Sequence, residues 1–276
     1  MKISEVIREI IARHPPLERP DSVDVVKYGD PEKECTGVAV TCYATSDVIR
    51  KAAELGVNLV VVHEPTFFND RDHVDRLKGD PVYKAKTALL DETGVVIWRD
   101  HDHIHGGRPM KGGKPYMDGI FYGIMQELGW ENYLHKYDNM PLIYHIPETT
   151  GRELAAMLRK KLNLNGVRVV GDPDTVVRNV FICEHVNGRD MDQELIDITR
   201  DEEIDALIPL EIVDWTLSEY VRDSCQLGRP RVLLEMGHFN FEELGMRYMT
   251  EWIPEIVGPD VPVRYIQSGD GFQYLT

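Results

Sequence analysis

The chain has 276 residues, with 47 acidic against 31 basic side chains and a formal net charge of −16 at neutral pH. A surface this acidic repels phosphate backbones, and with no basic stripe in the sequence nucleic acid is excluded as a direct partner. Hydrophobic residues at 42% and charged ones at 28% suit a globular protein, and no run approaches the ~20 apolar residues that cross a bilayer, so no membrane partner is expected.

The opening MKISEVIREIIARHPP carries scattered charges and no continuous apolar core, so it reads as an amphipathic helix rather than a signal peptide. Cys35, Cys42, Cys183 and Cys225 lie far apart without CxxC spacing, which argues against a zinc ribbon or a disulfide framework and predicts a cytoplasmic protein. Ile3, Val6, Ile7, Ile10 and Ile11 recur at helical spacing until Pro15 and Pro16, and Val23 to Tyr28 suits a strand. After an acidic turn, Val38–Thr41, a helix over 46–55 and the apolar run Leu59–Val62 predict a βαβ unit with a buried parallel strand. A helix from Pro81 to Thr93 capped by Gly94, a strand Val95–Trp98, a Gly-rich polar loop from Asp100 to Tyr116 and a helix from Asp118 to Leu128 follow.

The stretch from Glu131 to Ile146 reads as a crossover between halves, dividing the chain into lobes 1–130 and 131–276 with a soft boundary, or leaving one continuous domain. Thr150 with Glu153 makes a capping box for a helix to Leu162, and Val167–Val170 and Val176–Ile182 read as paired strands around the turn GDPD. The alternation then resumes: helix Asp192–Arg200, strand Ala206–Ile208, helix Trp215–Leu227, strand Val232–Met236, helix Phe241–Ile253 and a late strand Val261–Ile266. The fold class is therefore α/β.

Metal-competent residues follow three of the predicted buried strands, where open α/β sheets place their ligands. In NLVVVHEPTFF, His63 and Glu64 come directly off the strand, and both suit a divalent ion; alternatively, His63 ends the strand on a backbone carbonyl. In WRDHDHIHGG, three imidazoles alternate. An extended backbone puts His101, His103 and His105 on one side, whereas a turn still lets His101 and His105 converge. In LLEMGHFNFEELG, His238 and Glu242 share a helical face if the helix begins early enough. The six residues His63, Glu64, His101, His105, His238 and Glu242 offer enough nitrogen and oxygen for two divalent cations.

The chain also resembles the NIF3-like family, described as dinuclear metal centre proteins and sometimes labelled GTP cyclohydrolase type 2. The resemblance rests on GDPEKECTGVAV, LGVNLVVVHEPTFF, TGRELAAMLRKKLNLNGVRVVGDPD and GHFNFEELG, in family order over nearly the whole chain. It implies a fold of two similar α/β lobes with mixed, largely parallel sheets and metal ligation by His63, His101, His105, His238 and Glu242. It also implies a ring-shaped homohexamer with the sites facing an interior cavity. The family usually has a second histidine where Glu64 stands and an H-x-x-x-D arrangement where His101 and His105 stand. A shifted carboxylate leaves the metal open: oxygen-rich sites favour Mn²⁺ or Mg²⁺, imidazole-rich ones Zn²⁺, Fe or Ni²⁺.

Two cations with an open position predict a metal-dependent hydrolase of a small substrate, with anionic or nucleotide-like molecules as the candidates. His103 and Asp102 are the candidates for proton transfer, although His103 also suits an extra ligand or a group that orients one. Arg108, Lys111 and Lys114 are the candidates for holding an anion, although their glycine-rich loop also reads as a plain surface excursion. The competing reading is a non-catalytic metal-binding regulatory or scaffold protein with a filled ligand shell. An amidohydrolase-like barrel, suggested by the HxH pairs, is disfavoured because the chain offers no eightfold βα repeat.

Overall fold

The computed structural model describes residues 1–110, 114–137 and 142–275. These divide into two compact units. Unit 1 comprises Met1–Glu127 and Glu242–Ser268, and unit 2 comprises Leu128–Phe241 and Gly269–Thr276. Against a division into 1–130 and 131–276, the difference is that a late segment returns to the first unit. Among the described residues no helix is long and apolar enough to cross a membrane.

Unit 1 opens with helix α1 (Ile3–Ile11), whose Ile3, Val6, Ile7 and Ile10 are buried as their spacing dictates. Strands β1 (Val26–Tyr28), β2 (Val38–Thr41), β3 (Leu59–Val62) and β4 (Val96–Arg99) alternate with helices α2 (Ser46–Glu54) and α3 (Pro81–Thr93). β2, β3 and β4 are buried at every position, which is why they read as continuous apolar runs. α3 begins where the Asp80 carboxylate accepts the Val82 and Tyr83 amides, and it ends at Gly94, which takes a left-handed φ of 65°.

The described residues of the polar stretch 100–116 include regular elements where the sequence predicts a loop. It holds the short helix α4 (Asp102–Gly106) and the strand β5 (Arg108–Met110), which pairs with β6 (Lys114–Met117). Helix α5 (Gly119–Leu128) follows. The segment read as a crossover likewise holds two paired strands, β7 (Leu134–Tyr137) and β8 (Leu142–Thr150).

Unit 2 continues with α6 (Gly151–Leu162), opened by the expected Thr150 and Glu153 capping box, then β9 (Arg168–Gly171) and β10 (Val176–His185). After these come α7 (Met191–Asp201), β11 (Ala206–Glu211), α8 (Leu217–Gln226) and β12 (Val232–Glu235). Its sheet runs β7-β8-β10-β11-β12-β9, parallel through β10, β11 and β12 and antiparallel at the other pairs. The expected pairing of the two strands around GDPD is therefore corrected: β9 lies against β12 and β10 lies between β8 and β11. Gly171 makes the turn. Its φ is 89° and an added Cβ would stand 2.3 Å from the Arg231 carbonyl oxygen, so the chain leaves β9 across the start of β12 instead of folding into a hairpin.

Helix α9 (His238–Tyr248) begins three residues earlier than its periodicity indicates, and passes from unit 2 to unit 1 at Glu242. The short α10 (Pro254–Val257) and β13 (Val263–Tyr265) complete unit 1, whose sheet order is β1-β4-β3-β2-β13. The four neighbours β13, β2, β3 and β4 are parallel and β1 is antiparallel on the edge. Both units are thus α/β with mixed sheets.

Candidate metal centre

Parallel register sets the geometry of unit 1. Thr41 pairs with Val62 and Val62 with Arg99, so β2, β3 and β4 end at one level and release Cys42, His63 and Asp100 side by side. His63 is fully buried. Its Nδ1 lies 3.1 Å from the Asp100 carbonyl oxygen, which only accepts, so Nδ1 carries the proton and Nε2 presents a lone pair. That Nε2 has no hydrogen-bond partner and stands 3.6 Å from Glu242 Oε2. Such a separation exceeds a charge-assisted hydrogen bond, and it approximates the ~3.4 Å between two ligands of a tetrahedral ion with bonds of ~2.1 Å.

The HDHIH segment turns. His101 precedes α4 and stacks on His63, centroids 4.7 Å apart and planes 17° off parallel, while His105 stands edge-on to both rings at 4.8 and 4.7 Å. Asp118, ahead of α5, places Oδ2 2.6 Å from His105 Nδ1 and orients that ring. His63, His101 and His105 can bring one ligand atom each within 4.8 Å of one another, and the same holds for His63, Glu64 and Glu242. Burial, helped by the neighbouring His63 and His105, pulls the His101 imidazole down to about 4, so it is a neutral ligand at pH 7. Glu64 sits 3.8 Å from Arg99 Nη2, and Arg99 is itself fixed by donating to the His63 and Asp70 carbonyls. The Cys42 thiol, pushed up by burial and then by the surrounding carboxylates, donates weakly to Glu242 Oε2 at 4.0 Å.

His103 parts from the other two imidazoles and places Nδ1 2.6 Å from Asp24 Oδ2. Asp102 accepts from Arg19 Nη1 and the Val23 amide, and although burial raises its pKa, hydrogen bonds from the Val23 amide, Ser22 and His101 hold the carboxyl at about 2. Both residues singled out for proton transfer are thus taken up in bonds that hold the loop. Arg108 does not reach for an anion: its guanidinium lies over the Trp252 ring, 4.1 Å from the centroid. Lys111 lies outside the described residues, and Lys114 opens β6.

Unit 2 repeats the device. His185 at the end of β10 is in register with Glu211 at the end of β11, and Gly237, with φ 96°, turns the chain after β12 into His238. One Glu211 oxygen stands 2.7 Å from His185 Nδ1 and the other 2.6 Å from His238 Nδ1. Burial raises the Glu211 carboxyl, but the two imidazoles outweigh it and hold it at about 2, while Glu211 raises His185. These three residues also form a group able to hold a cation. The rule of strand ends that points to His63 applies equally to His185 and Glu211, but β11 reads shorter in sequence than it is, and that hides the pair.

The family model described as Duf34/NIF3 (NGG1p interacting factor 3) matches residues 1–93. A Clostridium perfringens protein named GTP cyclohydrolase 1 type 2 homolog is 24% identical over 285 residues, covering 100% of both chains. Over residues 1–93 the chain resembles the NIF3 family. A homolog of the same name from Streptomyces coelicolor is 26% identical across 91% of this chain and 86% of its own. The crystal structure of a Staphylococcus aureus hypothetical protein superposes with a TM-score of 0.71 at 16% identity, covering 100% of this chain and 99% of that one. A Bacillus cereus protein related to NIF3 gives 0.70 at 14% identity, with the same coverage. At such identities the structures speak for the fold, which they share with this chain.

Proposed function

We propose that the chain binds divalent metal ions and acts as a metal-dependent hydrolase on a small substrate, anionic or nucleotide-like in class. The observation that carries the reading is His63 Nε2, a buried and partnerless lone pair that faces Glu242 at ligand–ligand distance. His63 belongs to two groups, one with His101 and His105 and one with Glu64 and Glu242, and such imidazole and carboxylate donors fit Zn²⁺, Fe, Mn²⁺ or Ni²⁺. In unit 2, His238 and His185, oriented by Glu211, are the candidates for a second ion.

A bound cation supplies Lewis acidity toward a carbonyl or phosphoryl oxygen. The chain's own groups do the rest. The Asp100 carbonyl and Asp118 fix the rings of His63 and His105, and Arg99 holds Glu64 in place. The His63 and Glu242 side chains are buried, whereas those of His101 and His105 are 31% and 30% exposed, so the set opens on one side as a catalytic site requires. This exposure favours a hydrolase over a scaffold with a closed ligand shell. The name carried by the relatives adds guanine nucleotides, with their hydrolysable ring C–N bonds, to the substrates worth testing.

The test is elemental analysis of the purified chain and of His63→Ala and Glu242→Gln, with a screen of phosphoesters, nucleotides and cyclic amides under several metals. Wild type is expected to hold stoichiometric transition metal, both variants to lose an equivalent, and turnover to fall with it. Unchanged metal content overturns the centre; metal without turnover of any substrate class leaves the scaffold reading in its place.

A further inference from the structure

Unit 1 contains a second unsatisfied cluster outside the His63 group. Asp100 is 0% exposed, and both of its carboxylate oxygens lack a hydrogen-bond partner. A carboxylate in that position is strongly disfavoured unless donors or a cation meet it. The group that faces it is His14, whose Nε2 lies 3.6 Å from Asp100 Oδ2, both side chains being fully buried. His14 Nδ1 sits 3.1 Å from the Gly107 carbonyl oxygen, so Nδ1 carries a proton and a neutral ring turns the Nε2 lone pair onto the carboxylate. His14 Nε2 likewise has no hydrogen-bond partner.

Two lone-pair donors that face each other across 3.6 Å are too far apart for a charged hydrogen bond of ~2.8 Å, and close to the ~3.4 Å edge of a coordination tetrahedron. The His63 and Glu242 pair shows the same separation and the same proton placement, a carbonyl on Nδ1 and nothing bonded to Nε2. Further donors are at hand. Asp24, Asp100 and His103 can each bring one ligand atom within 4.8 Å of the others. Asp24 is held rigidly, with Oδ1 accepting the His101 and Asp102 amides and Oδ2 the His103 amide and imidazole. With neutral imidazoles the cluster carries two negative charges, which one divalent ion neutralises.

From this geometry we infer a distinct divalent-cation site built on Asp100 and His14, with Asp24 and His103 as the further donors that gather at the Asp100 carboxylate. Its mixed oxygen and nitrogen donors suit Zn²⁺ or Mn²⁺. The two sites of unit 1 share one residue in different capacities: the Asp100 carbonyl orients His63, and the Asp100 side chain ligates the second ion.

The experiment strips the full chain with chelator, titrates it with Zn²⁺ or Mn²⁺ alone, and counts bound equivalents after gel filtration. Wild type is compared with Asp100→Asn, His14→Gln and Glu242→Gln. Asp100→Asn and His14→Gln are each expected to bind one equivalent fewer than wild type, Glu242→Gln to lose a different equivalent, and the Asp100→Asn/Glu242→Gln pair to lose both. If both single variants keep the wild-type count, the site is overturned, and a protonated His14 paired with Asp100 takes its place. Loss confined to Asp100→Asn and His14→Gln supports this site while removing the His63 centre. Should Asp100→Asn fail to fold, His14→Gln carries the count, and ¹⁵N shifts of His14 in the loaded wild type decide between a ligated Nε2, which supports the site, and a protonated one, which overturns it.

Discussion

Asp118 shows how one carboxylate serves two ends. Its Oδ1 accepts the Ile120 and Phe121 amides and so starts α5, while its Oδ2 fixes the His105 ring. Asp118→Asn keeps an oxygen for the helix and removes the anion behind the imidazole. Metal affinity is expected to fall about 10-fold or more in a chelator competition, with circular dichroism unchanged. Equal affinity would show that His105 does not ligate. Lys86 offers a residue-scale test of a different kind. Its ammonium is buried, donates to the Thr66 carbonyl at 2.7 Å and is lowered by burial to about 8. Between pH 8 and 10.5 the folded state therefore binds fewer protons at this group than the unfolded chain, and the stability it contributes rises across that window. Compared with Lys86→Met by urea unfolding, wild type is expected to gain on the order of 2–3 kcal/mol from pH 7.5 to pH 10, and a difference that stays flat refutes the shift.

At the scale of elements, the crossing of α5 and α9 controls the His63 centre. An added Cβ at Gly123 would stand 2.8 Å from the Gly245 backbone, and one at Gly245 2.7 Å from the Ile120 carbonyl oxygen, so the helices meet backbone to backbone. α5 follows the residue that orients His105, and α9 carries Glu242. Gly123→Ala must push them apart. We expect a loss of about 1–3 kcal/mol in denaturant unfolding together with weaker metal binding, whereas overpacking absorbed elsewhere would cost stability alone.

Elements with strong local signals are legible in sequence. Pro81–Thr93 has its cap and its glycine, and Leu59–Val62 is an unbroken apolar run that stops at His63 and Glu64. Those set by distant partners are not: β9 reads like a hairpin arm until β12 claims it, and α9 starts early because Gly237 turns the chain directly into the helix. The site divides in the same way. His63, His101, His105 and Glu242 are visible because strand ends and helical spacing are local rules. Glu211 and His185, by contrast, meet only through the parallel register of β10 with β11. His14 and Asp100, far apart in the chain, carry no local signal at all.

In the whole molecule, each unit uses one plan. Three consecutive parallel strands, β2 to β4 in unit 1 and β10 to β12 in unit 2, hand polar residues over at their carboxyl ends. The strand ends and the segments after them differ in length and content, and from them come four ligand candidates in one unit and a carboxylate shared by two imidazoles in the other. The acidic balance of the chain is spread widely; most ion pairs, such as Arg152 with Asp174, lie in solvent where they contribute little.

The discontinuity of unit 1 has a temporal side. A ribosome delivers His63, His101 and His105 early, then the whole of β7 to β12, and only afterwards Glu242 and the edge strand β13. Until then three imidazoles wait beside a sheet edge without the carboxylate that completes them. On the proposed reading, metallation of the His63 centre is therefore a late event in the life of the nascent chain, coupled to the return of its last segment.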